Sequence, residues 1–98
     1  MRIRYSPRAT RDLATIHRYL SERSSTGSAH VMAAIYAAIE FIRRHPHAAE
    51  TTTIRGIRGK TVQKYRFRIF YRVLEEADVI DIVHVRHISR QPWSEEDS

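Results

Sequence analysis

The side chains in this sequence that can do chemistry are arginines, lysines and histidines, and they concentrate in two stretches. YRFRIFYRV runs from Tyr65 to Val73, and VIDIVHVRH from Val79 to His87. At the period of two that a β-strand imposes, the first puts Tyr65, Phe67, Ile69, Tyr71 and Val73 on one side. Arg66, Arg68, Phe70 and Arg72 fall on the other. In the second stretch Ile80, Ile82, His84 and Arg86 share one side; Val79, Asp81, Val83, Val85 and His87 share the other. If Val83 and Val85 face the interior beside Phe67, Ile69 and Tyr71, then His84 and Arg86 join Arg66, Arg68 and Arg72 on the open face. Facing side chains of paired strands lie about 5 Å apart. The expected result is a guanidinium patch around one imidazole, fringed by Lys60 and Lys64. Such a patch suits phosphodiester handling, because the planar guanidinium fork matches phosphate and histidine moves protons near neutral pH. The same residues also describe a plain solvated sheet face, and the pattern alone narrowly favours that simpler reading.

Two other motifs fail on inspection. GIRGKT (Gly56–Thr61) invites comparison with a phosphate-binding loop, but the spacing requires glycine where Ile54 stands, and a strand rather than a helix follows. Six histidines invite a metal site. His84 and His87 are three apart in a strand and point to opposite faces. His17, His30, His45 and His47 have no carboxylate at ligand spacing. No metal and no cofactor is expected.

The elements that must position these residues are legible from periodicity. RIRYS (Arg2–Ser6) alternates as a short strand. Ser6 can cap a helix and Pro7 suits its first turn. Ala9, Leu13, Ile16 and Leu20 then mark one helical face, ending near Ser24. After the loop SSTG, a second helix is expected from about Ser28 to Arg44. Its stripe Met32, Ile35, Ile39, Ile42 lies beside a second stripe, Val31, Ala34, Ala38, Phe41, so it packs on two sides. Pro46 ends it. TTTIRGI (Thr51–Ile57) is β-prone, Gly56 and Gly59 mark a turn, and EEAD (Glu75–Asp78) separates the last two strands. The predicted order β-α-α-β-β-β is an α+β fold, with a helical hairpin on one face of an antiparallel-rich sheet. Interior positions include Leu13, Ile16, Ile39, Ile69 and Val83.

The totals are consistent with one domain over 98 residues, with 93–98 a frayed tail. No cysteine is present, which removes disulfides and thiol catalysis and fits a cytoplasmic chain. No apolar run approaches a membrane span. The net charge is +6 and the pI about 10.3, which favours an anionic partner. From Arg55 to Leu74 the chain carries Arg55, Arg58, Lys60, Lys64, Arg66, Arg68 and Arg72 and no Asp or Glu.

YSPRATRDLATIHRYL, YRFRIFYRV and DIVHVRHISRQPW, in that order and spacing, resemble the RelE/ParE superfamily of type II toxins over nearly the whole chain. The resemblance implies a small cytoplasmic toxin that inhibits growth, of the kind found in plasmid-stabilisation systems. It would form a hetero-oligomer with an acidic antitoxin. It also implies two alternative targets. RelE-like members cleave mRNA on the ribosome without metal; ParE-like members are not nucleases and poison DNA gyrase.

Carried over residue by residue, the strand arginine of the RelE-like pattern falls on Arg68, before Ile69, Phe70 and Tyr71. The preceding basic residues fall on Lys60 and Lys64, and the late arginine on Arg86 or Arg90. For a nuclease the resemblance implies Arg68, His84 and Arg86 as catalytic. The RelE-like C-terminal tyrosine has no counterpart, since no Tyr follows Tyr71, and the full first helix beginning at Ser-Pro-Arg-Ala is more ParE-like. For a gyrase poison the expected contacts are Lys60, Lys64, Arg66, Arg68, Arg72, Arg86, Arg90 and Trp93. A plain nucleic-acid-binding module is a third expectation, disfavoured because Phe70 is the one aromatic on the arginine face.

Overall fold

A computed structural model describes residues 1–89. Strand β1 (Arg2–Tyr5) leads into helices α1 (Pro7–Ser21) and α2 (Ser25–Arg44). Strands β2 (Glu50–Thr51), β3 (Arg58–Val62), β4 (Phe67–Leu74) and β5 (Val79–His87) follow, with one 3-10 turn at Glu75–Ala77. The sheet order is β1-β5-β4-β3-β2; β1 runs parallel to β5 and every other pair is antiparallel. The α+β architecture is as the sequence predicts.

Both helices begin on a serine. The Ser6 hydroxyl accepts from the Ala9 amide at 3.0 Å, with Pro7 in the first turn. Ser24 accepts from the Gly27 amide at 3.0 Å, so α2 starts three residues before the expected Ser28. Ala9 and Leu13 of α1, and Val31, Ile35, Ile39 and Ile42 of α2, form one core with Val62, Phe67, Ile69, Tyr71, Ile80, Ile82 and Val85 of the sheet. Ile16, Leu20 and Met32 are partly buried against it. Phe41 is not interior; it stays exposed, with the Lys60 ammonium 4.5 Å from its ring centre.

Buried Tyr71 ties the end of α2 to the sheet, its hydroxyl donating to the Pro46 carbonyl at 2.7 Å. Burial pushes its pKa above the tyrosine range, opposed by the Arg58 guanidinium and the Ala49 backbone. Arg58 is itself committed here, donating to the Ala49 carbonyl at 2.8 Å.

Two expectations need correction. The segment Thr51–Ile57 is mostly loop, and the strand lies beyond it, at Arg58–Val62 through Gly59. The order is therefore β-α-α-β-β-β-β. The Thr52 hydroxyl closes the loop by donating to the Ile57 carbonyl at 2.9 Å and accepting from the Ile54 amide at 3.2 Å, and Gly56 takes φ +79. β-Branched residues gave this stretch the look of a strand, but local side-chain-to-backbone bonds won.

Strict alternation also fails along β5. Phe70 pairs with His84 and Tyr71 with Ile82, so Val83 is the extra residue of a β-bulge. Ile80 and Ile82 face the helices before it and Val85 faces them after it. Val83 packs instead on the far face with Ile54, Ile57 and Phe70.

Candidate target-binding face

The bulge assembles the far face. On that side Arg68 pairs directly with Arg86, Phe70 with His84 and Arg72 with Asp81. His84 and Arg86 thus share the face of Arg68, but the open imidazole expected from sequence is not found, since His84 is buried, and the alternation used to place both breaks between them and Ile82.

Arg68 lies flat across β3. Its Nη1 donates to the Thr61 hydroxyl at 2.7 Å, and its Nη2 is 3.8 Å from a carboxylate oxygen of Glu50. Gly59 makes room for it, since a Cβ there would meet the guanidinium at 2.6 Å. The glycine read from sequence as a turn marker is therefore a seat for a side chain inside a strand.

His84 is buried, at 6% exposure. Its Nδ1 lies 2.7 Å from Asp12 Oδ2, and its ring stacks on Phe70 with centroids 5.8 Å apart and planes 16° apart. The same Asp12 oxygen accepts from the Val85 amide at 3.0 Å. Asp12 was not among the residues expected to matter. The signal available in sequence was a lone carboxylate one residue before buried Leu13, on the N-terminal half of a helix otherwise rich in arginine.

The remaining expected residues scatter. Lys60 pairs with Ile69 and so points to the helix-covered side, away from Arg68. Arg66 has φ +61 and lies in the turn before β4, outside the strand. Lys64 is in the same turn, its ammonium 5.4 Å from the Tyr65 ring centre. Arg72 is exposed on the far face but separated from Arg68 by Phe70 and its apolar cluster. Across the strands it stands opposite Asp81, whose carboxylate lies 3.5 Å from Arg4 Nε. Arg90 and Trp93 lie outside the described residues. One expected patch becomes two basic ends separated by four apolar side chains.

A groove runs between α1 and the C-terminal half of β5. Arg8, Arg11 and Asp12 stand on one wall and His84, Arg86 and His87 on the other, with Leu20, Val31 and Phe67 contributing apolar lining. Among the described residues no three His, Asp or Glu side chains group closely enough to hold a metal ion. No helix among them is long and apolar enough to cross a membrane.

Residues 3–92 match the family model described as ParE toxin of type II toxin-antitoxin system, parDE. No curated relative matches the chain. Among solved structures, a chromosomal ParDE toxin–antitoxin system from P. aeruginosa superposes with TM-score 0.76 at 18% identity, covering 90% of this chain and 96% of that one. The isolated E. coli RelE toxin gives TM-score 0.62 at 14% identity, over 92% of this chain and 86% of that one. The intact E. coli RelBE complex gives 0.62 at 14%, over 91% and 98%. At these identities the structural likenesses establish the shared fold.

Proposed function

This chain belongs to the ParE toxin family of type II toxin–antitoxin systems, and we propose that it halts growth by binding and poisoning DNA gyrase rather than by cleaving RNA. The observation that carries this reading is the state of His84. A general acid or base must come within hydrogen-bond reach of the reacting oxygens, yet this imidazole is buried, held by Asp12 and stacked on Phe70. Lys60, a second group that a nuclease would need there, faces the other side of the sheet. What the far face offers is two arginines at paired strand positions, Arg68 reaching across β3 and Arg86 toward the α1 groove, beside a small apolar cluster. Arginine next to a desolvated apolar patch is the composition of an interface anchor.

The neutralising partner is an acidic antitoxin segment seated in the α1–β5 groove. Arg8, Arg11, Arg86 and His87 supply the complementary charge, and the apolar lining supplies the hydrophobic contact that holds a complex once charge has steered the encounter. Toxin and gyrase meet in the cytoplasm, and the silenced form is a hetero-oligomer.

Paired assays with the purified toxin test the reading. Inhibited supercoiling by gyrase with intact ribosome-bound mRNA is expected. Cleaved mRNA with undiminished supercoiling would overturn it in favour of the RelE-like endonuclease.

A further inference from the structure

β1 covers the outer edge of β5 only as far as Ile82, the partner of Tyr5. Beyond that point no strand among the described residues lies beside the edge, and α1 with its cap bonds to it instead. The Ser6 amide donates to the Ile82 carbonyl at 2.9 Å and the Ser6 hydroxyl to the Val83 carbonyl at 3.0 Å. Asp12 continues the substitution two residues on, accepting from the Val85 amide and meeting His84 Nδ1 with one oxygen.

We propose that Asp12 is a positioning residue, whose carboxylate locks the chain after the Val83 bulge so that His84 lies on Phe70 and Arg86 stands beside Arg68. The importance of that pair rests on the target-face reading given above. The sequence of β5 sets up the need. Burying Val85 against the helices requires the bulge, because strict alternation from Ile80 and Ile82 would carry His84 and Arg86 into the core instead. The bulge then leaves the Val85 amide aimed at an edge where no other strand of the described residues pairs. A buried amide without an acceptor is costly, and Val85 is buried. Asp12 supplies that acceptor. Its own position is fixed by Ala9 and Leu13, the buried residues of α1 that flank it. Charge makes the contact specific, since hydrogen bonds to an ionised acceptor are roughly twice as strong as neutral ones. One oxygen thus couples the α1 register, the β5 backbone and the imidazole ring.

Asp12→Asn and Asp12→Ala test the proposal, read by growth arrest at matched levels of folded toxin and by NMR of the purified protein. Asp12→Asn keeps a carbonyl oxygen for the Val85 amide but removes the charge facing His84. It should fold, shift the His84 ring and Arg86 side-chain signals, and need about tenfold more toxin for the same arrest, the loss expected for one charge-assisted bond. Asp12→Ala should lose more; where it fails to fold, Asp12→Asn decides. A purely structural role would lower the melting temperature and leave the Arg86 side-chain signals and the toxicity per folded molecule unchanged. That result overturns the proposal. Arg68→Ala is the companion arm. If it folds and remains fully toxic, the target-face reading fails, and the placement of the strand by Asp12 is then decided by the Arg86 side-chain signals alone.

Discussion

On the helix-covered side of the sheet, Ile69, Tyr71, Ile80, Ile82 and Val85 are at most 2% exposed and meet six buried helical side chains. On the far side the apolar content shrinks to Ile54, Ile57, Phe70 and Val83, flanked by arginines that reach solvent. The difference separates two tasks carried on one set of strands. The covered side supplies the bulk of the hydrophobic free energy. The far side buries just enough to hold the loop from Thr52 to Ile57 in place, with arginines at either end of its apolar cluster. Alternation lets β4 serve both, since each residue belongs to one side only.

The contrast breaks first on the covered side. Ile39→Ala should cost about 2–5 kcal/mol, as truncations in well-packed cores do. Urea denaturation measures it, and a change within about 0.5 kcal/mol, typical of surface positions, would deny that this side dominates. Ile57→Ala on the far side should fall near the low end, about 2 kcal/mol, because a surface loop collapses around the lost atoms more easily than two packed layers do.

A smaller effect comes from Tyr71. Its pKa is raised chiefly by burial, so the unfolded chain ionises first as pH climbs. Stability is fully present below the ordinary tyrosine pKa of about 10 and is lost as pH rises through the higher folded value. Thermal melts between pH 9 and 11.5 should fall less steeply for Tyr71→Phe than for the native chain. Equal slopes would show that the hydroxyl is not as buried as described.

The smallest stability change is expected at Gly59. A methyl there meets the far end of the Arg68 side chain, which can swing away, so Gly59→Ala should alter stability by no more than about 0.5 kcal/mol. It should nonetheless weaken toxicity, because Arg68 loses its seat and its bond to Thr61. Unchanged toxicity would mean that the guanidinium's resting place is irrelevant to the target.

Much of this plan was legible in sequence. The α1 stripe from Ala9 to Leu20, the break at Pro46, the period of two from Phe67 to Val73 and the limits of β5 all appear as expected. These are long periodic segments in which one face is buried, so composition and geometry agree. The remainder turned on contacts between segments. The β5 bulge is forced by the clash between Ile80–Ile82 and His84–Arg86, a clash visible in the letters but resolved only when α1 offers Ser6 and Asp12 to the loose edge. The strand through Gly59 was obscured because its alternate positions, Arg58 and Lys60, are charged yet spend their length on the helix-covered side. Lys60 was placed with the arginines for the same reason: its register depends on where β3 begins.

The central claim is that the covered side folds the chain and the far side acts. The most direct test is the double variant Arg68→Ala, Arg86→Ala, assayed for growth arrest on induction and for melting by circular dichroism. Loss of arrest with a melting temperature close to that of the native toxin is predicted. A folded double variant that arrests growth as strongly as the native chain would contradict the account.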